Sequence, residues 1–317
     1  MITLTQLEYI VAIDEYRHFA TAAEKCFVTQ PTLSMQIKKL EEELGVIIFD
    51  RSRQPIVPTD IGKKLIEQAR ITLSASRRMH EIVNEDLSQV TGELKIGIIP
   101  TLAPYLLPMF IGQYTRKYPN VSVKVEELVS EDIIRRLKHD TLDVGIFVTP
   151  YGDEKILENP LFYEEMFLYL HPEHPFMQFQ EVDVKSLNPS EIWMLGDGHC
   201  FRNQVINLCG KTDESACALP FLFESDSIET LMRIVDTEGG CTLIPELALH
   251  YMPDSKLKQV RPFKDSKPLR EVSVIFSRHF TKQSLIQLLC EEIRHCVPTE
   301  MLDLHRGTIV RWKCKMR

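Results

Sequence analysis

The sequence predicts an α/β protein with a helical N-terminal fifth, and three observations carry that reading. Leu33, Ile37, Leu40 and Leu44 recur at helical spacing between a capping residue, Thr29, and a stop signal, Gly45. Ile61, Leu65, Thr72, Met79 and Val83 form an approximate apolar stripe within residues 59–89. From residue 94 onward, short apolar runs at 94–100, 121–125 and 142–148 alternate with amphipathic stretches at 106–118 and 130–137. Strands alternating with helices predict a mainly parallel sheet.

The composition narrows the class. The chain has 317 residues, enough for two or three domains, with 44% hydrophobic and 26% charged residues, ordinary for a globular protein. The first residues lack a basic segment followed by an apolar run, and no stretch approaches the roughly 18 apolar residues of a membrane span. The cytoplasm is the expected compartment. Eight cysteines without a C-x-x-C pair form neither a disulfide scaffold nor a zinc ribbon. Cys26 and Cys241 sit among apolar neighbours and read as small buried hydrophobes, while Cys314 lies in a basic tail. The net charge of −8 argues against nucleic acid only on average, since Lys38, Lys39, Arg51, Arg53, Lys63 and Lys64 cluster in the first fifth of the chain.

The N-terminal elements follow in order. Thr3 and Gln6 have capping-box spacing, with Leu4, Leu7, Ile10 and Val11 as the expected apolar face. A second helix is expected over residues 19–26, and Phe27 and Val28 form a tight connection. Thr29 then caps a third helix that tolerates Pro31 in its first turn. Two helices joined this way fit a helix-turn-helix, whose second helix presents its N-terminal residues to base edges. Those residues are Gln30, Thr32, Ser34 and Gln36, backed by Lys38 and Lys39. Hydroxyls and amides read base edges, and lysines suit phosphates. An ordinary three-helix bundle with a solvated polar face fits the spacing equally well. The stripe through Ile61, Leu65, Thr72, Met79 and Val83 predicts pairing with another helix or packing onto the first domain.

In an α/β sheet, ligands bind beyond strand ends and at helix N-termini. Three loops qualify: Pro100 and Thr101 after the first strand, Ser130 at the start of a helix, and Gly198, His199 and Cys200 after a strand near Met194. Each alone reads first as a helix cap. The last loop opens a short helix running from Cys200 to Cys209 with Gly210 as its cap. At about 1.5 Å per residue the two cysteines sit roughly 13 Å apart, whereas a disulfide needs Cα atoms within about 7 Å. A bond between them requires the helix to unwind. The helix N-terminus and the neighbours His199 and Arg202 predict that Cys200 is a thiolate at neutral pH.

The runs Phe19-Ala-Thr-Ala-Ala-Glu, Thr29-Gln-Pro-Thr-Leu-Ser-Met-Gln-Ile-Lys-Lys-Leu-Glu41 and Leu44-Gly-Val-Ile-Ile-Phe-Asp-Arg51 closely resemble the DNA-binding domain of LysR-type transcriptional regulators. The resemblance implies a winged helix-turn-helix over residues 1–58 with residues 51–58 as the wing. Double-stranded DNA would then be met by Gln30, Pro31, Thr32, Ser34, Gln36, Lys38, Lys39 and Arg51. It also implies a linker and dimerisation helix over 59–90, and a regulatory domain over 91–303 resembling periplasmic binding proteins. That domain would comprise one subdomain of about 91–163 with 268–303, and a second of about 164–267. Residues 304–317 form a basic tail that the resemblance does not place.

The runs Gly97-Ile-Ile-Pro-Thr101 and Leu195-Gly-Asp-Gly-His-Cys-Phe-Arg-Asn-Gln204 most resemble peroxide-sensing members of the family. This implies Cys200 as the peroxidatic and Cys209 as the resolving cysteine, with Thr101, Ser130, His199 and Arg270 near the peroxide. It further implies a dimer and then a tetramer, RNA polymerase as a partner, thiol reductants for resetting, and neither enzyme turnover, cofactor nor metal. Two positions depart from the pattern: Asn203 stands where Asp is usual, and Ser130 where Thr is usual. An asparagine cannot carry a proton as a carboxylate does; a serine keeps the hydroxyl. Three other readings remain: a LysR-type regulator of a small organic effector with structural cysteines, a thiol peroxidase, and a metal sensor using His199, Cys200 and Cys209.

Overall fold

The computed structural model describes residues 1–86, 90–209, 219, 221, 223–277 and 282–311. The expected cap Gly210, the end of the long helix at 87–89, and Cys314 lie outside them. The chain divides into two compact units, one holding residues 1–89 and the other residues 90–278 and 284–317.

The first unit opens with helix α1 (Leu4–Tyr16), where Thr3 and Gln6 form both bonds of the capping box. Of its expected apolar face, Ile10 is buried and Leu7 and Val11 pack on the core, while Leu4 is exposed; Tyr9 and Ile13 complete the buried face. Helix α2 (Phe19–Lys25) is capped by His18, and α3 (Gln30–Leu44) by the Thr29 side chain, which accepts from the Thr32 N–H. Gly45 ends α3 at φ +66, a left-handed conformation suited to glycine. Leu33, Ile37 and Leu40 are fully buried, each contributing about 1.5–3 kcal/mol of apolar burial. Strands β1 (Phe49–Asp50) and β2 (Val57–Pro58) pair antiparallel and flank the loop expected as the wing.

Helix α4 (Asp60–Asp86) runs for 27 residues. The Thr59 hydroxyl caps it by accepting from the Gly62 N–H at 3.0 Å while donating to the Ile47 carbonyl at 2.7 Å. Its packed face carries Ile66 and Ala69, and Arg70 pairs with buried Asp14 at 3.0 Å. The expected stripe lies elsewhere on the helix: Ile61 and Met79 are exposed. At Gly62 a Cβ would fall 2.1 Å from the Ile48 carbonyl oxygen. Gly62→Ala must therefore push the helix start away from the Ile48 carbonyl just before β1. A loss of about 1–3 kcal/mol is expected for such overpacking, read as a lower urea midpoint of the first unit.

The second unit contains β3 (Gly92–Ile98), α5 (Ala103–Lys117), β4 (Val121–Glu127), α6 (Ser130–Lys138) and β5 (Val144–Thr149). The long β6 (Ile156–Leu170) follows, then β7 (Ile192–Trp193), α7 (Cys200–Cys209), α8 (Ile228–Glu238) and β8 (Cys241–Pro245). Short helices α9 (Glu246–Leu249) and α10 (Asp254–Leu257), β9 (Val260–Arg261), β10 (Pro268–Ser277), α11 (Gln283–Cys296) and β11 (Thr308–Ile309) complete it. The strand order is β4-β3-β5-β10-β6-β8-β7.

The sheet is mixed rather than mainly parallel. β3 runs parallel to β4 and β5, and β7 to β8, as the alternating pattern predicts. The centre is antiparallel, because β10 returns against both β5 and β6, and β6 against β8. β6 pairs with β10 through Glu165 and with β8 from Met166, so one strand serves two groups of strands. On the far side of that change of partner, Trp193, Phe201, Val205, Leu231, Val235 and Leu243 share one core.

Candidate functional site

Of the residues singled out in the sequence, Ser130 and Arg270 act directly on Cys200, and Arg270 in turn holds Thr101. Cys200 is the first residue of α7 and is buried. Ser130, the first residue of α6, does not cap its own helix: that cap has no side-chain bond, and the Ser130 hydroxyl instead hydrogen-bonds the Cys200 thiol. Thr101 lies in the turn after β3 and is also buried. Arg270, fully buried on β10, donates from Nη1 to the Thr101 hydroxyl oxygen at 3.0 Å and from Nη2 to the Thr101 carbonyl at 2.9 Å. Because the hydroxyl oxygen accepts from the guanidinium, its own proton is left to donate.

Arg270 also depends on groups that the sequence reading did not identify. Its Nε donates to Glu164 Oε1 at 2.6 Å, and its guanidinium lies over the Phe201 ring, 5.1 Å from the centroid. The other Glu164 oxygen accepts from the Leu247 N–H at 3.3 Å. Burial pushes the Glu164 carboxyl up, against the pull of Arg270. The signal for Glu164 was present: Glu164 and Glu165 interrupt an otherwise apolar strand run.

His199 is engaged by a carboxylate. It is buried and meets Asp226 Oδ1 through Nε2 at 2.8 Å. Arg202 is likewise engaged, with the Leu195 carbonyl at 3.0 Å and Asp197 at 3.2 Å. The expected thiolate is therefore corrected. Burial pushes the Cys200 thiol up, and the Ser130 hydrogen bond, the nearby Arg270 charge and the helix N–H groups offset only part of this. Cys209, at the other end of α7 and half-buried, is pushed up to about 12 by burial. With ten helical residues from one cysteine to the other, their separation along the axis is about 13 Å. Gln204 is fully buried on the same helix, and its Oε1 finds no donor among the described residues. Asn203 is half-buried there. No group of three or more metal-ligating side chains is assembled among the described residues.

In the first unit, Gln30, Pro31, Lys38 and Lys39 are exposed, while Thr32, Ser34 and Gln36 are half-buried on α3. Lys38 approaches Glu42 at 3.7 Å, and Gln36 accepts from Gln6 at 3.4 Å. Arg51 is tied to Glu41 at 2.8 Å and lies over Phe19, while Glu41 also accepts from the Ile48 N–H. Arg51 thus ties the loop expected as the wing to α3. Among the described residues no helix is long and apolar enough to cross a membrane.

Two family models match the chain. A bacterial regulatory helix-turn-helix protein of the lysR family covers residues 4–63, and a LysR substrate binding domain covers residues 87–296. The chain is 36% identical to a hydrogen peroxide-inducible genes activator of Haemophilus influenzae, over 86% of this chain and 90% of that protein. It is 34% identical to the DNA-binding transcriptional dual regulator OxyR of Escherichia coli, over 92% and 94%. Among solved structures, a full-length OxyR variant from Pseudomonas aeruginosa superposes with a TM-score of 0.77 at 34% identity, covering 94% of this chain and 99% of that one. An OxyR variant from Corynebacterium glutamicum with hydrogen peroxide bound gives a TM-score of 0.60 at 27% identity, covering 93% and 92%.

Proposed function

The chain belongs to the LysR family of bacterial helix-turn-helix regulatory proteins, and from that membership we propose that it is a DNA-binding regulator that senses hydrogen peroxide through Cys200. The observation that carries the reading is one buried thiol that meets the Ser130 hydroxyl and the Arg270 charge, with the Thr101 hydroxyl held by the same guanidinium. Peroxide is small, neutral and rich in hydrogen-bonding atoms, and it fits such a lining.

The chemistry balances as follows. Cys200 sulfur attacks one peroxide oxygen and the O–O bond breaks. The thiol proton passes to the departing oxygen, which leaves as water, and Cys200 becomes a sulfenic acid. The hydroxyl protons of Thr101 and Ser130 stabilise the charge growing on the departing oxygen. The Cys209 thiol then displaces the sulfenic hydroxyl as a second water, forming the Cys200–Cys209 disulfide. Two thiols are oxidised and one peroxide is reduced. Because α7 holds the cysteines about 13 Å apart, the second step unwinds it, and thiol reductants reset it.

In this reading α4 is a linker helix whose exposed Ile61 and Met79 pair with a second copy. The regulatory region has two lobes joined through β6 and β10, as in periplasmic binding proteins. Refolding of α7 changes the subunit arrangement of a dimer or tetramer, and hence the spacing of the α3 helices on DNA and the contact with RNA polymerase.

The test is treatment of the reduced chain with about one equivalent of hydrogen peroxide, followed by peptide mass spectrometry. A Cys200–Cys209 bond is expected. Since only the thiolate attacks readily and burial raises the Cys200 pKa, the rate should climb with pH, about tenfold per unit while the pH stays below that pKa. Unchanged thiols would overturn the proposal and favour a small effector.

A further inference from the structure

The C-terminal segment beyond α11 lies outside both matched family regions, yet it reaches the cysteine helix. Arg306 anchors it through a 2.7 Å ion pair to Glu246. Gly307 lies so close to β10 that a Cβ there would meet the Lys267 carbonyl oxygen at 2.3 Å. β11 then pairs parallel with the start of β10, Ile309 opposite Leu269, and the Val310 N–H donates to the Leu269 carbonyl at 2.8 Å. That register leaves two carbonyls for α7. Val310 O accepts from Gln204 Nε2 at 2.9 Å, and Arg311 O accepts from Asn207 Nδ2 at 2.7 Å. The two amides are three residues apart and so share one helix face. Val310 also packs on the core that Leu208 and Cys209 join.

We propose that residues 306–311 clamp α7 in its helical form, with Gln204 and Asn207 as positioning residues, and thereby set the equilibrium between the Cys200–Cys209 dithiol and its disulfide. The inference rests on the peroxide-sensing reading above. Unwinding α7 to bring the cysteines within bonding distance carries Gln204 and Asn207 away from their carbonyls. Gln204 is fully buried, and its other amide atom already lacks a partner among the described residues, so losing the Val310 carbonyl strands the whole group. The clamp therefore favours the dithiol. Coupling is reciprocal: whatever factor the clamp exerts on oxidation, oxidation exerts on docking of the segment. The neighbouring β10 residue, Arg270, holds Thr101, so the clamp and the peroxide site share one strand.

The test uses the full chain with Asn207→Ala and, separately, Gly307→Ala. Asn207 is exposed, so its variant folds even if the Gly307 variant does not. The dithiol–disulfide equilibrium is measured in dithiothreitol buffers by alkylation and mass spectrometry. Hydrogen exchange of residues 306–311 is followed in both redox states of the parent. Each folded variant should shift the equilibrium about tenfold toward the disulfide, about 30 mV for a two-electron couple. Exchange in the segment should quicken about tenfold on oxidation. A parent that forms the disulfide while the variants keep its equilibrium, or while the segment stays equally protected, overturns the clamp alone. A parent that forms no Cys200–Cys209 bond overturns the peroxide reading and the clamp together.

Discussion

With Cys200 replaced by serine, the chain should still bind DNA and should form no disulfide on addition of peroxide. The substitution is nearly isosteric and keeps a hydroxyl to meet Ser130, so the reduced fold should lose no more than about 1 kcal/mol. Chemistry is what disappears, because an alcohol without a strong adjacent base is not a nucleophile at neutral pH. DNA affinity should hold because the substituted residue lies in the second unit and α3 in the first. Cys209→Ser should behave differently: the first step survives, and a sulfenic acid accumulates that a sulfenic-specific alkylating probe captures. Both variants are read by mass spectrometry and by DNA binding at fixed salt. A peroxide-driven disulfide in the Cys200→Ser chain would sink the assignment of the attacking thiol. It would direct attention to Cys209 and Cys241, which pack in one apolar cluster.

The boundaries of the cysteine helix, the caps of α1 and α3 and the three loops that meet at Cys200 were legible in the sequence because each rests on local rules: capping, glycine stops and apolar period. The convergence of Ser130, Thr101 and Arg270 is not local. It depends on β10 lying between β5 and β6, an arrangement that alternating strands and helices do not specify. The same return strand makes the sheet mixed. The thiolate expectation failed for an electrostatic reason. Sequence neighbours such as His199 and Arg202 are one and two residues from Cys200, yet their side chains are engaged with Asp226 and Asp197, while desolvation, which no short motif reports, dominates at the sulfur. The tail lacked a recognisable motif because its contacts with α7 use backbone carbonyls, which any sequence supplies.

Arg270→Met should be the most damaging single change to the stability of the second unit. It leaves the Glu164 carboxylate, fully enclosed, without its cation, and the Thr101 carbonyl without a donor. Breaking a buried pair from one side costs about 3–5 kcal/mol. At about 2–4 °C per kcal/mol for a unit of this size, the thermal midpoint should fall by about 10 °C. The loss should depend on pH with a definite sign. Burial already raises the Glu164 pKa, and removing Arg270 raises it further. A carboxyl whose folded pKa is raised contributes stability at low pH that is lost as pH rises through the folded value. The variant should therefore lie closer to the parent at pH 5 than at pH 8. Adding Glu164→Leu removes the stranded charge and should restore most of the midpoint. It should not restore the peroxide reaction, since the charge that pulls the Cys200 pKa down and the donors that orient Thr101 remain absent. Recovery of both stability and reactivity in the double variant would mean that Arg270 serves only to neutralise Glu164; recovery of stability alone places the guanidinium in the chemistry of the thiol.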